Sequence, residues 1–140
     1  MIDYEDFRKS LHLLQLQYDN HLHAGEREGL AEIDREAIAE SVIQRFETCY
    51  DCLWKVLKRH LAEVLGLPDV PGSPKPVLRL ANENGLLPSP VEQWLDYAEA
   101  RIATSHDYSG DKAGESLTLM ERFIPDAQRL YATLCGKQWE

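Results

Sequence analysis

Arg101, His106 and Tyr108 close the segment W-L-D-Y-A-E-A-R-I-A-T-S-H-D-Y-S-G, Trp94 to Gly110, and their side chains are those of phosphate chemistry. An arginine offers a planar fork of donors that holds and neutralises a phosphate. An imidazole with an ordinary pKa of about 6.5 carries a proton near neutral pH. A phenol two residues further on adds a nucleophile. On a regular helix, positions five apart lie about 140° apart around the axis, so Arg101 and His106 do not share a face. The long arginine stem, or a loosened last turn near Ser109 and Gly110, would have to bring them together. The plainer reading of the same residues is a surface cation, a boundary histidine and a tyrosine packed at a helix end.

The elements that must position this trio are helical, and the periodicity predicts no strand. Phe7, Leu11, Leu14, Tyr18 and Leu22 recur at spacings of three and four, which predicts a helix from about residue 3 to the early twenties, ended near Gly25 and Gly29. A long second helix is expected from Ile33 or Asp34 to Gly66, with Ile38, Val42, Phe46, Cys49, Leu53, Val56, His60 and Val64 as its stripe. Ile43, Tyr50, Trp54, Leu57 and Leu61 widen that stripe beyond what one neighbour covers, so this helix belongs at the centre of a bundle. The stretch L-P-D-V-P-G-S-P-K-P holds four of the seven prolines and reads as a loop. A short helix from Lys75 to Asn84 follows, ended by Gly85. Ser89 as N-cap and Pro90 at the first helical position would open the motif helix. The last helix is expected after Gly110 with Asp111 as its cap, carrying Leu117, Met120, Ile124, Ala127, Tyr131 and Leu134, and kinked or restarted at Pro125. The expected fold is all-α, an up-and-down bundle of four main helices with one short extra helix, as a single domain over residues 1–140.

A chain of 140 residues buries about two thirds of its unfolded surface without disulfides. Its net charge of -9 argues against a non-specific nucleic-acid coat, because phosphate affinity comes from Lys and Arg. RNA would need a local basic site. Lys55, Lys58 and Arg59, with Lys75 and Arg79, are the candidates for one, or else a solvated helix face. Three cysteines and an N-terminus without signal-peptide character predict a reducing cytoplasm. No apolar run approaches the roughly 18 residues of a membrane span, so no membrane association is expected. Cys49 and Cys52 form a C-x-x-C inside a helical pattern, with no second pair and only His60 nearby. Structural zinc takes four ligands, so core packing is the expectation and no metal site is predicted. His12, His21 and His23 read as surface residues, and G-x-x-x-x-G-K-[ST], G-x-G-x-x-G and G-x-S-x-G are absent.

R-x4-H-x-Y, preceded by I-Q-R-F-E-T-C-Y-D-C-L-W-K (Ile43 to Lys55) and K-P-V-L-R-L-A-N-E-N-G-L (Lys75 to Leu86), resembles the landmarks of the HepT-like HEPN-domain toxins. That family has long been labelled nucleotidyltransferase substrate-binding proteins. The resemblance spans nearly the whole chain. It implies a HEPN-like bundle and a homodimer whose paired Arg101 and His106 face each other and cleave RNA without metal or cofactor. Trp94 and Tyr97, beside the motif, are the aromatic residues expected near that interface. It also implies a cognate minimal nucleotidyltransferase (MNT) as antitoxin, which uses ATP and magnesium to place AMP on Tyr108 and so blocks the site. One position departs from the pattern: HEPN ribonucleases usually carry a polar residue directly after the arginine, and Ile102 stands there, read as part of the apolar stripe of Leu95 and Ala98. The alternative implied by the older label is a non-catalytic substrate-binding subunit of a nucleotidyltransferase.

Overall fold

A computed structural model describes residues 2–105 and 110–139, with residues 110–112 described by their backbone alone. His106 and Tyr108 therefore lie outside the described residues. The described chain is all-helical: α1 (Glu5–His23), α2 (Glu32–Arg59) continued by a π-helical turn (His60–Val64), α3 (Pro74–Glu83), α4 (Val91–Thr104) and α5 (Gly110–Cys135). Four of these form an up-and-down bundle, and α3 is the short addition. Helix α2 packs most extensively against α1 and also touches α3, α4 and α5, the central place its wide apolar stripe predicts.

Local chemistry sets the helix ends. At the start of α2, the Ala31 N–H donates to the Asp34 carboxylate at 3.0 Å. Acidic Glu32 and Asp34 sit in its first turn and basic Lys58 and Arg59 in its last, each complementing the helix dipole. Helix α3 closes with a Schellman arrangement: Leu86 N–H donates to Ala81 O and Gly85 N–H to Asn82 O. Gly85 takes a φ of 70°, where a Cβ would be strained.

Helix α4 begins differently from the sequence expectation. Pro90 is its N-cap and no side chain caps it. Ser89 instead accepts a hydrogen bond from the Trp94 indole at 2.8 Å, so satisfying a buried donor takes precedence over capping. Pro125 does not restart α5, which runs through it unbroken between buried Ile124 and Asp126. The backbone of α5 also starts at Gly110, one residue before the expected cap Asp111. Leu22 and Val64, placed on core stripes by periodicity, are 55% and 59% exposed because each lies at a helix end beyond the packed partner.

An aromatic chain ties α4 into the centre. Phe46 and Phe123 meet edge to face at 5.0 Å, Phe123 meets Tyr97 at 5.0 Å, and Tyr97 meets Trp94 at 5.3 Å. The Tyr97 hydroxyl donates to buried Asp126, which also accepts from Gln93. Trp94 and Tyr97 are fully buried in this core. They are therefore not surface aromatics for a dimer contact, contrary to the sequence expectation.

Candidate functional site

Arg101 lies in the last turn of α4 and reaches across to α2. Its Nη1 donates to Glu47 Oε2 at 2.9 Å, while Nε and Nη2 donate to the two oxygens of Asp51 at 3.3 and 3.1 Å. Glu47 and Asp51 are four apart on α2, so one guanidinium spans both in its two-edged geometry. Thr104, fully buried one turn along α4, donates to the same Glu47 oxygen at 3.1 Å. The side chains of Arg101, Glu47 and Asp51 are 27%, 12% and 38% exposed, a gradient from core to solvent. Arg101 is thus a fixed strut between helices that keeps partial contact with solvent, and not the loose surface cation of the plainer reading.

A cleft of about 690 Å³ opens beside it, walled by α2, α3 and α4. Tyr50, Trp54 and Ile102 supply apolar surface, and Lys75 and Arg79 join Arg101 as its cations. The basic residues picked out by sequence are therefore divided. Lys75 and Arg79 face this cleft, Lys75 pairing with Glu99 at its edge, while Arg59 pairs with Glu63 at 2.8 Å elsewhere on the surface. Ile102 is 49% exposed. It does not extend a packed stripe with Ala98, as expected from the sequence, because the turn at Arg101 carries it past the edge of the core.

Tyr50 is almost wholly buried in the cleft wall, and among the described residues its hydroxyl has no hydrogen-bond partner. Burial pushes its phenol pKa up, neighbouring Asp51 adds to the rise, and Arg101 opposes it. A separate groove of about 960 Å³ between α4 and α5 is lined by Asp96, Glu99, Glu115 and Glu121 with Arg122, a charge balance that disfavours a polyanion.

Of the sequence-predicted trio, the described residues place Arg101. The carboxylates that hold it, Glu47 and Asp51, were not singled out by sequence. Their signal was there: an acidic pair at i, i+4 set within the widest apolar stripe of the chain, next to Phe46 and Tyr50, where a carboxylate requires a partner. Cys49 is packed in the core and Cys52 lies partly exposed beside it, both as free thiols, and burial pushes the Cys49 thiol pKa up. Among the described residues no group of three His, Cys, Asp or Glu gathers as a metal site, and no helix is long and apolar enough to cross a membrane.

Comparison with known proteins agrees with this architecture. The probable ribonuclease HepT of Haemophilus influenzae is 28% identical over 104 residues, 73% of this chain and 70% of that protein. A crystal structure from Thermus thermophilus superposes with a TM-score of 0.74 at 26% identity, covering 92% of this chain and 98% of that one. A Haemophilus influenzae structure described as revealing the fold of a substrate binding domain of a nucleotidyltransferase superposes with a TM-score of 0.83. At 22% identity over 94% of this chain and 98% of that one, it establishes the fold alone. The family model for nucleotidyltransferase substrate binding protein like matches residues 2–135, and the chain belongs to that HepT-like family.

Proposed function

We propose that this protein is a HEPN ribonuclease toxin that cuts RNA without metal through Arg101 and His106 of paired copies. In this reading a cognate minimal nucleotidyltransferase silences it by transferring AMP to Tyr108. The observation that carries the reading is the setting of Arg101, held by Glu47 and Asp51 at the wall of a cleft that also presents Lys75 and Arg79. A guanidinium fixed before substrate arrives stabilises developing phosphate charge without reorganisation. The ribose 2′-oxygen would attack the adjacent phosphorus and give its proton to one His106. The bond to the 5′-oxygen would break as that oxygen takes a proton from the other copy, leaving a 2′,3′-cyclic phosphate and a 5′-hydroxyl. In the silencing step the Tyr108 phenolate oxygen would attack the α-phosphorus of ATP. Pyrophosphate leaves, and the phenolic proton passes to a base of the partner enzyme. The added phosphate and adenosine compete for Arg101 and obstruct the cleft.

Cleavage of a cellular RNA pool in EDTA by the purified dimer, lost in His106→Ala, is the expected result. The cognate nucleotidyltransferase with ATP and magnesium should add one AMP to Tyr108 and stop cleavage, and Tyr108→Phe should escape both. A strict monomer at micromolar concentration, or wild type that leaves every RNA intact, would reject the composite ribonuclease.

Two observations favour the second reading, a non-catalytic subunit that completes a nucleotidyltransferase's substrate site. Arg101 already engages two carboxylates, so among the described residues the cluster carries more negative than positive charge toward a phosphate. Ile102 is half-exposed where a polar residue is the usual companion of the arginine. Under this reading the chain leaves RNA uncut but lowers the KM of its nucleotidyltransferase partner.

A further inference from the structure

We infer that the cleft between α2, α3 and α4 is a nucleotide subsite, binding one nucleoside monophosphate unit with its base against Trp54 and Ile102 and a polar edge on the Tyr50 hydroxyl. The inference deepens the ribonuclease reading and rests on it for the identity of that unit, an RNA nucleotide beside the bond that Arg101 addresses.

The cleft asks for a ligand with three properties. Trp54 is partly exposed and Ile102 half-exposed, and together they offer an aromatic and apolar wall to a flat ring. Lys75 and Arg79 add positive charge beside that wall, apart from the Arg101 guanidinium that Glu47 and Asp51 already engage, and this suits an anion carried by the same molecule. Tyr50 adds a hydroxyl that finds no partner among the described residues although nearly all of the residue is buried. Buried polar groups left without partners are uncommon and costly. A base edge or ribose hydroxyl, admitted by a small movement of the covering side chains, satisfies it. An apolar plane, a polar edge and a phosphate describe a nucleotide, and about 690 Å³ falls within the size range of small-molecule pockets.

The first turn of α3 shows how the phosphate would be held. Pro74 and Pro76 occupy its first and third positions and carry no N–H, which leaves Lys75 as the amide donor between them. Side-chain cations therefore do the work that backbone amides do at other helix starts. Lys75 is free to exchange partners, because its pair with Glu99 is a surface contact of the kind that contributes little to stability. The phosphate belongs on the Lys75 and Arg79 side, away from Asp51.

The test measures binding by full-length protein of 2′-O-methyl tetranucleotides of A, C, G and U, which cannot be cleaved, and of the four free nucleoside monophosphates. Thermal melting and RNA cleavage are followed in parallel. Wild type should bind at least one tetranucleotide series. Tyr50→Phe should weaken it about tenfold, or about 1.4 kcal/mol, while melting at the same or a higher temperature, because only an unpartnered hydroxyl is removed. Trp54→Leu should weaken it as well and lower the quenching of tryptophan fluorescence. Tighter binding of tetranucleotides than of monophosphates assigns the unit to an RNA chain, and equal binding assigns it to a free nucleotide. Binding that is unchanged in both variants, or absent from wild type, overturns the subsite even if RNA is cleaved. Tyr50-dependent binding without any cleavage keeps the subsite and removes the ribonuclease reading.

Discussion

Arg101 and Glu47 join α4 to α2 through a 2.9 Å hydrogen bond in which Glu47 is the more buried partner. The arginine most readily assigned to chemistry is therefore also a structural tie. Arg101→Ala should cost about 1–3 kcal/mol of stability, below the loss from a fully buried pair because its own side chain is partly solvated. Urea denaturation of Arg101→Ala, Glu47→Gln and the double variant should show coupling, the arginine costing less once Glu47 is neutral. Strict additivity of the two losses would deny the tie. Any loss of activity in Arg101→Ala has to be judged at a temperature where the variant is folded.

The π-helical turn at His60 makes stability depend on pH. His60 is buried, its Nδ1 lies 3.2 Å from the Tyr4 hydroxyl, and burial holds its pKa below the ordinary imidazole value. The unfolded chain takes up a proton as pH falls through about 6.5 and the folded chain resists it. The stabilisation is complete above that pH and declines below it until the folded value is reached. Between about pH 7.5 and 5.5 the urea midpoint of wild type should fall more than that of His60→Gln. Equal slopes would mean that His60 is not the group responsible.

Cys49 should resist alkylation. It is fully buried and its thiol is driven toward the neutral form, whereas Cys52 and Cys135 are partly exposed. With iodoacetamide at about pH 8, near the ordinary thiol pKa, peptide mapping should find Cys49 unmodified until the chain is unfolded. Labelling of Cys49 at the rate of Cys52 in the native protein would contradict the packing.

Ser89→Ala should destabilise by about 1–2 kcal/mol, the cost of leaving a buried donor without its acceptor. The loss arises at the Trp94 indole, which donates to Ser89 at 2.8 Å, and not at the start of α4, which Ser89 does not cap. Ser89→Asn, which keeps an acceptor, should recover part of the loss. A helical content reduced in Ser89→Ala without a change in Trp94 emission would restore the capping explanation.

Periodicity in the sequence determined the helices, because a face buried against a neighbour has to repeat every three or four residues wherever the chain is helical. Phe7, Leu11 and Leu14, most of the double-width stripe of α2 between Val42 and Leu61, and Met120, Ile124, Ala127, Tyr131 and Leu134 pack as that pattern requires. The spacing of Arg101, His106 and Tyr108 likewise carried the family resemblance, with the HepT-like membership now shown over residues 2–135. Tertiary structure alone decided the partners. That Arg101 meets Glu47 and Asp51, about fifty positions away, depends on α4 crossing α2 at one particular height, which no local pattern encodes. The same crossing buries Trp94 and Tyr97, exposes Ile102 and leaves the Tyr50 hydroxyl without a partner among the described residues, since burial at a helix edge is set by where the neighbouring helix ends.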